Sequence, residues 1–201
     1  RTLYDLYSEA YTPFEWHKEI FDYAKKNDIT LFSTPFDESA VDLLESLNVP
    51  AYKVSSFELT DLPLIKYIAK KNKPILMSTG MASLKEVKEA IETIKNEGQS
   101  NILIFHCISG YPTPINQANL NGIKLLKKEF DVQVGLSDHT VGTLTSIVAV
   151  ALGVSVIEKH FTLSRQDGGL DSAFSLEPTE MKSLVKDTFS AHMSLGNGNN
   201  L

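Results

Sequence analysis

His139 and His160 are the two residues of this chain whose spacing best suits joint chemistry. The first closes the run GLSDH at 135–139 and the second closes VIEKH at 156–160, with a helix-like stretch at 142–152 between them. A β-α-β unit of this length makes the two strands parallel neighbours, which brings both carboxyl ends to one face. Two neutral imidazoles meeting there can ligate a divalent metal and leave positions open for substrate or water. The bland alternative is a pair of histidines hydrogen-bonded into a polar rim. His106, which ends the run NILIFH, is a third ligand, a substrate contact or a satisfied structural histidine.

Lys53 lies inside the apolar run AYKVSS. Lysine is rarely buried unless paired, so an inward-facing one would serve as a Schiff-base nucleophile or as a cation holding phosphate or carboxylate. The alternative is a lysine snorkelling from an edge strand. Ser55, Ser56, Ser78 and Thr79 are small hydroxyl residues at strand ends. With Gly80 they form a candidate anion cradle, although each alone is more often a turn former or a cap. Asp138 and Glu158 neighbour the histidines and are candidates to orient them or Lys53. Lys159 shares that role or points away to an acid on a helix. The loop Arg165–Asp171 offers Asp171 as an acceptor for a polyol, against the reading of a plain surface loop. Met77, Met81 and the helix phenylalanines are assigned to the core.

These residues need a frame that gathers strand ends. Strand-like runs at 29–36, 51–56, 74–80, 101–107, 132–138 and 154–161 alternate with amphipathic helices. Thr12 with Pro13 and Glu15 predicts a helix to about Asn27, and Ser83 with Glu86 a second, ended by Gly98. Asp37 and Asp61 cap two more. Further helices are expected at 119–130, at 142–152, and from Pro178 to about Met193, while the opening RTLYDLYSEA carries no obvious start signal. Strict alternation means a parallel sheet, doubly wound or closed as a barrel. No G-x-G-x-x-G follows a strand, and nearly every strand ends in polar residues. A (β/α)8 barrel uses many strand ends and a doubly wound sheet mainly one switch point, so the barrel is favoured. Six strand runs leave it two short, with the missing pair expected before Arg1.

Composition narrows the class. The chain has 201 residues, 42% of them hydrophobic, and a net charge of −6, which suits one globular domain and not a nucleic-acid footprint. No apolar run approaches the ~20 residues of a membrane span, and no signal peptide is visible. The single cysteine, Cys107, fits a reducing cytoplasm.

The stretches FSTPFD, VPAYKVSSFE, LTDLPLI, PILMSTGMAS, HCISGYPTP, GLSDHTVG, ALGVSVIEKHFTL and DSAFSLEP closely resemble the sialic acid synthase family, from about Tyr11 to Gly196. The opening LYDLYSEAYTPFEWH, the GGLDS and AFSLEP stretches, and Phe57 in place of a usual glycine resemble its pseudaminic acid branch. The resemblance implies a barrel at 1–196 that condenses phosphoenolpyruvate with an amino-sugar aldehyde and releases phosphate. Residues 197–201 would then begin a linker to an antifreeze-like domain outside this chain, one that closes the partner's site in a homodimer. By the same resemblance, His139 and His160 bind Mn2+ or Mg2+, and Lys53, Ser56, Ser78, Ser109 and Ser137 bind phosphoenolpyruvate. Tyr111 and Asp171 then join Lys53 around the sugar and the reacting centre. Ser109 replaces an asparagine of N-acetylneuraminate synthases, which favours a different sugar. The competing expectations are the same condensation giving N-acetylneuraminic or legionaminic acid, and a non-catalytic binding or assembly module. Without the first two strands, and the acid and lysine the family carries on them, the isolated chain is expected to be an incomplete catalyst.

Overall fold

The computed structural model describes residues 2–197. Five strands, β1 (Tyr52–Val54), β2 (Ile75–Ser78), β3 (Ile102–Cys107), β4 (Gln133–Asp138) and β5 (Ile157–Lys159), form one sheet. Every neighbouring pair is parallel, and spatial order follows chain order from β1 to β5. That order decides between the two architectures. A doubly wound sheet reverses its order at a switch point, whereas here every crossover steps the same way and the helices between the strands pack on one face of the sheet. The sheet therefore curls into half a barrel.

Eight α-helices accompany it among the described residues: α1 (Leu3–Ala10), α2 (Phe14–Lys26), α3 (Glu38–Ser46), α4 (Leu62–Ala69), α5 (Leu84–Asn96), α6 (Asn121–Glu129), α7 (Leu144–Ala151) and α8 (Pro178–Leu195). Their caps are local and legible. Asp37 accepts from Ala40 N, Asp61 from Leu64 N, and Ser83 with Glu86 closes a reciprocal capping box. Gly98 ends the turn after α5 at φ +85°, a left-handed backbone that suits glycine.

The outer face of the sheet meets these helices and makes the core. Tyr52, Val54, Ile75, Met77, Ile102, Ile104, Val134 and Leu136 pack there against Val41, Leu44, Ile65, Ile68, Ile91, Ile94 and Ile123. Since side chains alternate along a strand, the residues between them face the barrel interior.

Several expectations need correction. The run 29–36 is not a strand: its one backbone bond to β1 is Lys53 N–H to Ser33 O at 3.4 Å, too little for a ladder. Thr12 does not cap α2. Pro13 takes that place in an extended conformation with no side-chain bond, and the helix begins one residue later. The unexpected helix α1 does carry a start signal, a box in which Thr2 Oγ1 accepts from Asp5 N while Asp5 accepts from Thr2 N. Met81 is exposed, as are Phe14 and Phe189; Met77 is core, and Phe21, partly buried, packs against that core. No described helix is long and apolar enough to cross a membrane. The expected linker start at 197–201 lies, from residue 198, outside the described residues.

Candidate active site

The inner face of the half-barrel is apolar low down and polar at its carboxyl end. Lys53 points inward from β1 and is 8% exposed. Its Nζ donates to Ser78 Oγ at 2.8 Å, lies 3.5 Å from Glu158 Oε2 and sits 5.4 Å over the Phe105 ring. It does not snorkel. Phe105 can lie flat there because its cross-strand neighbour is Gly135, where a Cβ would come within 2.8 Å of the ring.

Beside this ammonium, four groups converge after β1, β2 and β3. Gly80 N–H donates to Ser56 Oγ at 3.0 Å, and Ser56 Oγ donates to Cys107 Sγ at 3.6 Å. A Cβ on Gly80 would stand 2.3 Å from Ser109 Oγ, 2.8 Å from Ser56 Oγ and 3.1 Å from Cys107 Sγ. Only glycine leaves this hollow open. Two members of the expected cradle are turned elsewhere: Thr79 Oγ1 donates to Phe105 O at 2.9 Å, and Ser55 Oγ bonds Glu58. Burial pushes the Cys107 thiol up, so it stays neutral and adds no negative charge to the hollow.

The histidines meet across β4 and β5 with ring centroids 5.2 Å apart. His139 Nδ1–H donates to Ile108 O at 2.9 Å, which leaves Nε2 unprotonated in the neutral ring. Burial holds the His139 pKa low, against the upward pull of that bond. His160 Nδ1 lies 3.5 Å from Asp171 Oδ2. Tyr111 covers His139 at 4.2 Å between centroids, and Phe174 packs on His160 at 5.0 Å. Burial first, then the nearby Cys107 and acids, push the Tyr111 phenol up to about 12. Glu158 joins the two halves of the site: opposite Ser137 in register, it accepts from Ser137 Oγ at 2.6 Å while facing Lys53.

Lys53, Ser56, Ser78, Ser109, Tyr111, Ser137, His139, His160 and Asp171 thus gather on one face. His106 does not. It faces outward, where Nε2 bonds Ala118 O at 2.9 Å and the ring lies over Gly122, whose Cβ would be 2.7 Å away. It is one strand residue out of phase with Cys107, so the inward group at that strand end is the thiol. Asp138 likewise faces away. Its carboxylate takes Thr140, Thr145, Ser146 and Lys159, and contacts neither histidine ring. Lys159 does point away, but to this strand acid instead of one on a helix. Although burial pushes the Asp138 pKa up, the Ser146 hydroxyl and Lys159 hold it low overall. Cys107 and the Ile108 carbonyl were not singled out in the sequence; the period of two running from Phe105 was the available signal for the thiol. Arg165 anchors the following loop to Glu177, Glu180 and the Ser175 carbonyl, which shapes the turn carrying Asp171 and Phe174.

Burial keeps His106 below its ordinary 6.5. The unfolded chain takes up that proton near pH 6.5 and the folded chain only at lower pH, so stability falls as pH drops below about 6.5. The slope is at most ~1.4 kcal/mol per pH unit for each such histidine. Denaturant melts in chelator at about pH 7.5 and about pH 5.5 should therefore differ, and less so in His106→Gln.

Among the described residues no group of three His, Cys, Asp or Glu side chains could hold a metal ion. His139 and His160 stand as a pair.

A family pattern, that of the NeuB family, matches residues 1–200. The chain is 45% identical over 194 residues to a pseudaminic acid synthase of Helicobacter pylori, covering 96% of this chain and 57% of that protein. It is 46% identical over 184 residues to an N,N'-diacetyllegionaminic acid synthase of Campylobacter jejuni, covering 90% and 55%. An N-acetylneuraminic acid synthetase structure from Leptospira borgpetersenii superposes with a TM-score of 0.90 at 30% identity, over 94% of this chain and 66% of that one. The chain spans little more than half the length of these two curated relatives. On a family pattern running along 1–200 and on relatives this similar over at least 90% of its length, the chain belongs to the NeuB family.

Proposed function

We propose that this chain carries much of the active site of an enzyme that condenses phosphoenolpyruvate with an amino-sugar aldehyde and releases phosphate. The sugar is a 2,4-diacetamido-trideoxy hexose, and the product is pseudaminic acid. The observation that carries the reading is a buried ammonium and a glycine-opened hydroxyl hollow on the same face as two converging imidazoles. Phosphoenolpyruvate brings phosphate and carboxylate charge, which Lys53, Ser56, Ser78 and Ser137 neutralise and hold in place. Ser109 closes the hollow on the side of the sugar.

The imidazoles fit a divalent cation, Mn2+ or Mg2+. Each has Nδ1 turned to an oxygen, Ile108 O at His139 and Asp171 Oδ2 at His160, which leaves Nε2 of each ring as the atom that would ligate. The chemistry supplied there is Lewis-acid polarisation of the aldehyde oxygen. Carbon 3 of phosphoenolpyruvate attacks the sugar carbonyl carbon, water adds at carbon 2, and the tetrahedral adduct expels phosphate by C–O cleavage. Lys53 stays on the anion throughout. Tyr111 roofs the reacting centre and excludes water from its upper side, while Asp171 orients His160 and accepts from sugar hydroxyls.

We further read the half-barrel as completed by three strands, two of them outside this chain and the third formed by the 29–36 run once they pair with it, with an antifreeze-like domain and a homodimeric assembly in the cytoplasm. The open sheet and the greater length of the relatives support the added strands and the further domain. On that reading the isolated chain is an incomplete catalyst.

Two predictions follow from the site. Comparing phosphate release with 2,4-diacetamido-trideoxy sugar and with N-acetylmannosamine, using the full-length protein, should show turnover with the first. Turnover only with N-acetylmannosamine would assign the chain to N-acetylneuraminic acid synthesis, and a legionaminic acid precursor is the third arm. Gly80→Ala should raise KM for phosphoenolpyruvate about tenfold or more, since its methyl group fills the hollow beside Ser56 and Ser109. Steady-state kinetics check this, and an unchanged KM would remove Gly80 from the anion site.

A further inference from the structure

Asp138 and Lys159 each precede one of the two histidines, and they pair in register on β4 and β5, on the rung next to Ser137 and Glu158. Unlike that inner pair, they face outward and touch nothing in the site. Their side chains are sealed, 1% and 2% exposed, with Lys159 Nζ 3.0 Å from Asp138 Oδ2.

The pair holds more than itself. Asp138 accepts from Thr140 N at 2.9 Å, Thr140 Oγ1 at 2.8 Å, Thr145 Oγ1 at 3.0 Å and Ser146 Oγ at 2.6 Å. Lys159 also donates to the Thr140 carbonyl. The residue after His139 is thus gripped at its N–H, hydroxyl and carbonyl, and the first turn of α7 is tied to the same carboxylate. The His139 carbonyl takes Thr113 N–H at 2.9 Å, and the His160 carbonyl takes Leu176 N–H at 2.9 Å. Backbone on both sides of the histidine pair is therefore fixed, and the ion pair ties the two sides together from behind, alongside the β4–β5 ladder and the Ser137–Glu158 bond on the inner face. A buried ion pair is weak evidence for stability, since apolar residues of similar volume often serve as well. Its worth here is geometric.

We propose that the Asp138–Lys159 ion pair is a positioning device that sets the separation of His139 and His160 for binding a divalent cation. This rests on the reading of that pair as a cation site.

The test is a titration of the metal-stripped full-length protein with Mn2+, following free Mn2+ by its electron paramagnetic resonance signal. Wild type, Asp138→Asn, Lys159→Met and the double variant are compared, with the core variant Ile94→Val as a control that lowers melting temperature without touching the pair. The expected result is one Mn2+ per wild-type chain, with affinity about 10- to 100-fold weaker in each single variant. The double variant, which leaves no unpaired buried charge, is expected to fold and still bind weakly, so it carries the comparison if a single variant does not fold. Ile94→Val should bind as wild type does. Wild-type affinity in the double variant, or equal weakening in Ile94→Val, would overturn the positioning role. Wild type that binds no Mn2+ would overturn the cation site itself, a distinguishable outcome.

Discussion

Lys53→Met is expected to lower kcat/KM for phosphoenolpyruvate by about 10²- to 10³-fold in a phosphate-release assay on the full-length protein. Lys53 is the buried cation of the anion hollow, 2.8 Å from Ser78 Oγ and beside Glu158. In the low dielectric of that face its charge is worth far more than in water. Methionine preserves much of the volume and removes the charge. The Glu158 carboxylate left behind is 40% exposed and keeps its bond from Ser137, so losing its partner charge should cost little and the melting temperature should hold while catalysis falls. Arginine is not expected to rescue it, because a planar fork cannot take the place of a compact ammonium inside the hollow. A Lys53→Met enzyme within a few-fold of wild type would place the anion elsewhere.

His139→Ala should reduce phosphate release by about 10³-fold or more, the equivalent of several kcal/mol of lost carbonyl polarisation. Its ring is buried, neutral and locked by the Ile108 carbonyl, as a metal-ligating imidazole must be. His106→Gln is the internal control. It alters an imidazole one strand away but on the outer face, so activity should stay within a few-fold of wild type. Chelator should stop the wild-type reaction, and Mn2+ or Mg2+ should restore it. Equal losses from both substitutions would mean that the effect is packing and not ligation.

Most of the frame was legible from periodicity and caps. Asp37, Asp61, Ser83 and Gly98 mark helix ends through bonds made within four residues, which is why they can be read locally. The barrel sense was legible from the polar strand ends, and the sequential strand order bears it out for the half that is present. What misled was context. The run 29–36 has strand composition, but a strand needs a partner ladder, and composition does not report pairing. His106 and Asp138 have the right types at the right strand ends and face the wrong way, because a shift of one residue reverses a side chain. Cys107 enters the site by the same rule. Phase within the strand, set by the register of β3 with β4, was the missing quantity.

The most direct measurement is an anomalous difference map from crystals of the full-length protein soaked with Mn2+ and phosphoenolpyruvate. The predicted result is a single manganese peak shared by Nε2 of His139 and His160, with the phosphoenolpyruvate anion against Lys53, Ser56, Ser78 and Ser137. Manganese bound away from both histidines, or phosphoenolpyruvate bound off the inner face of the half-barrel, would contradict the account.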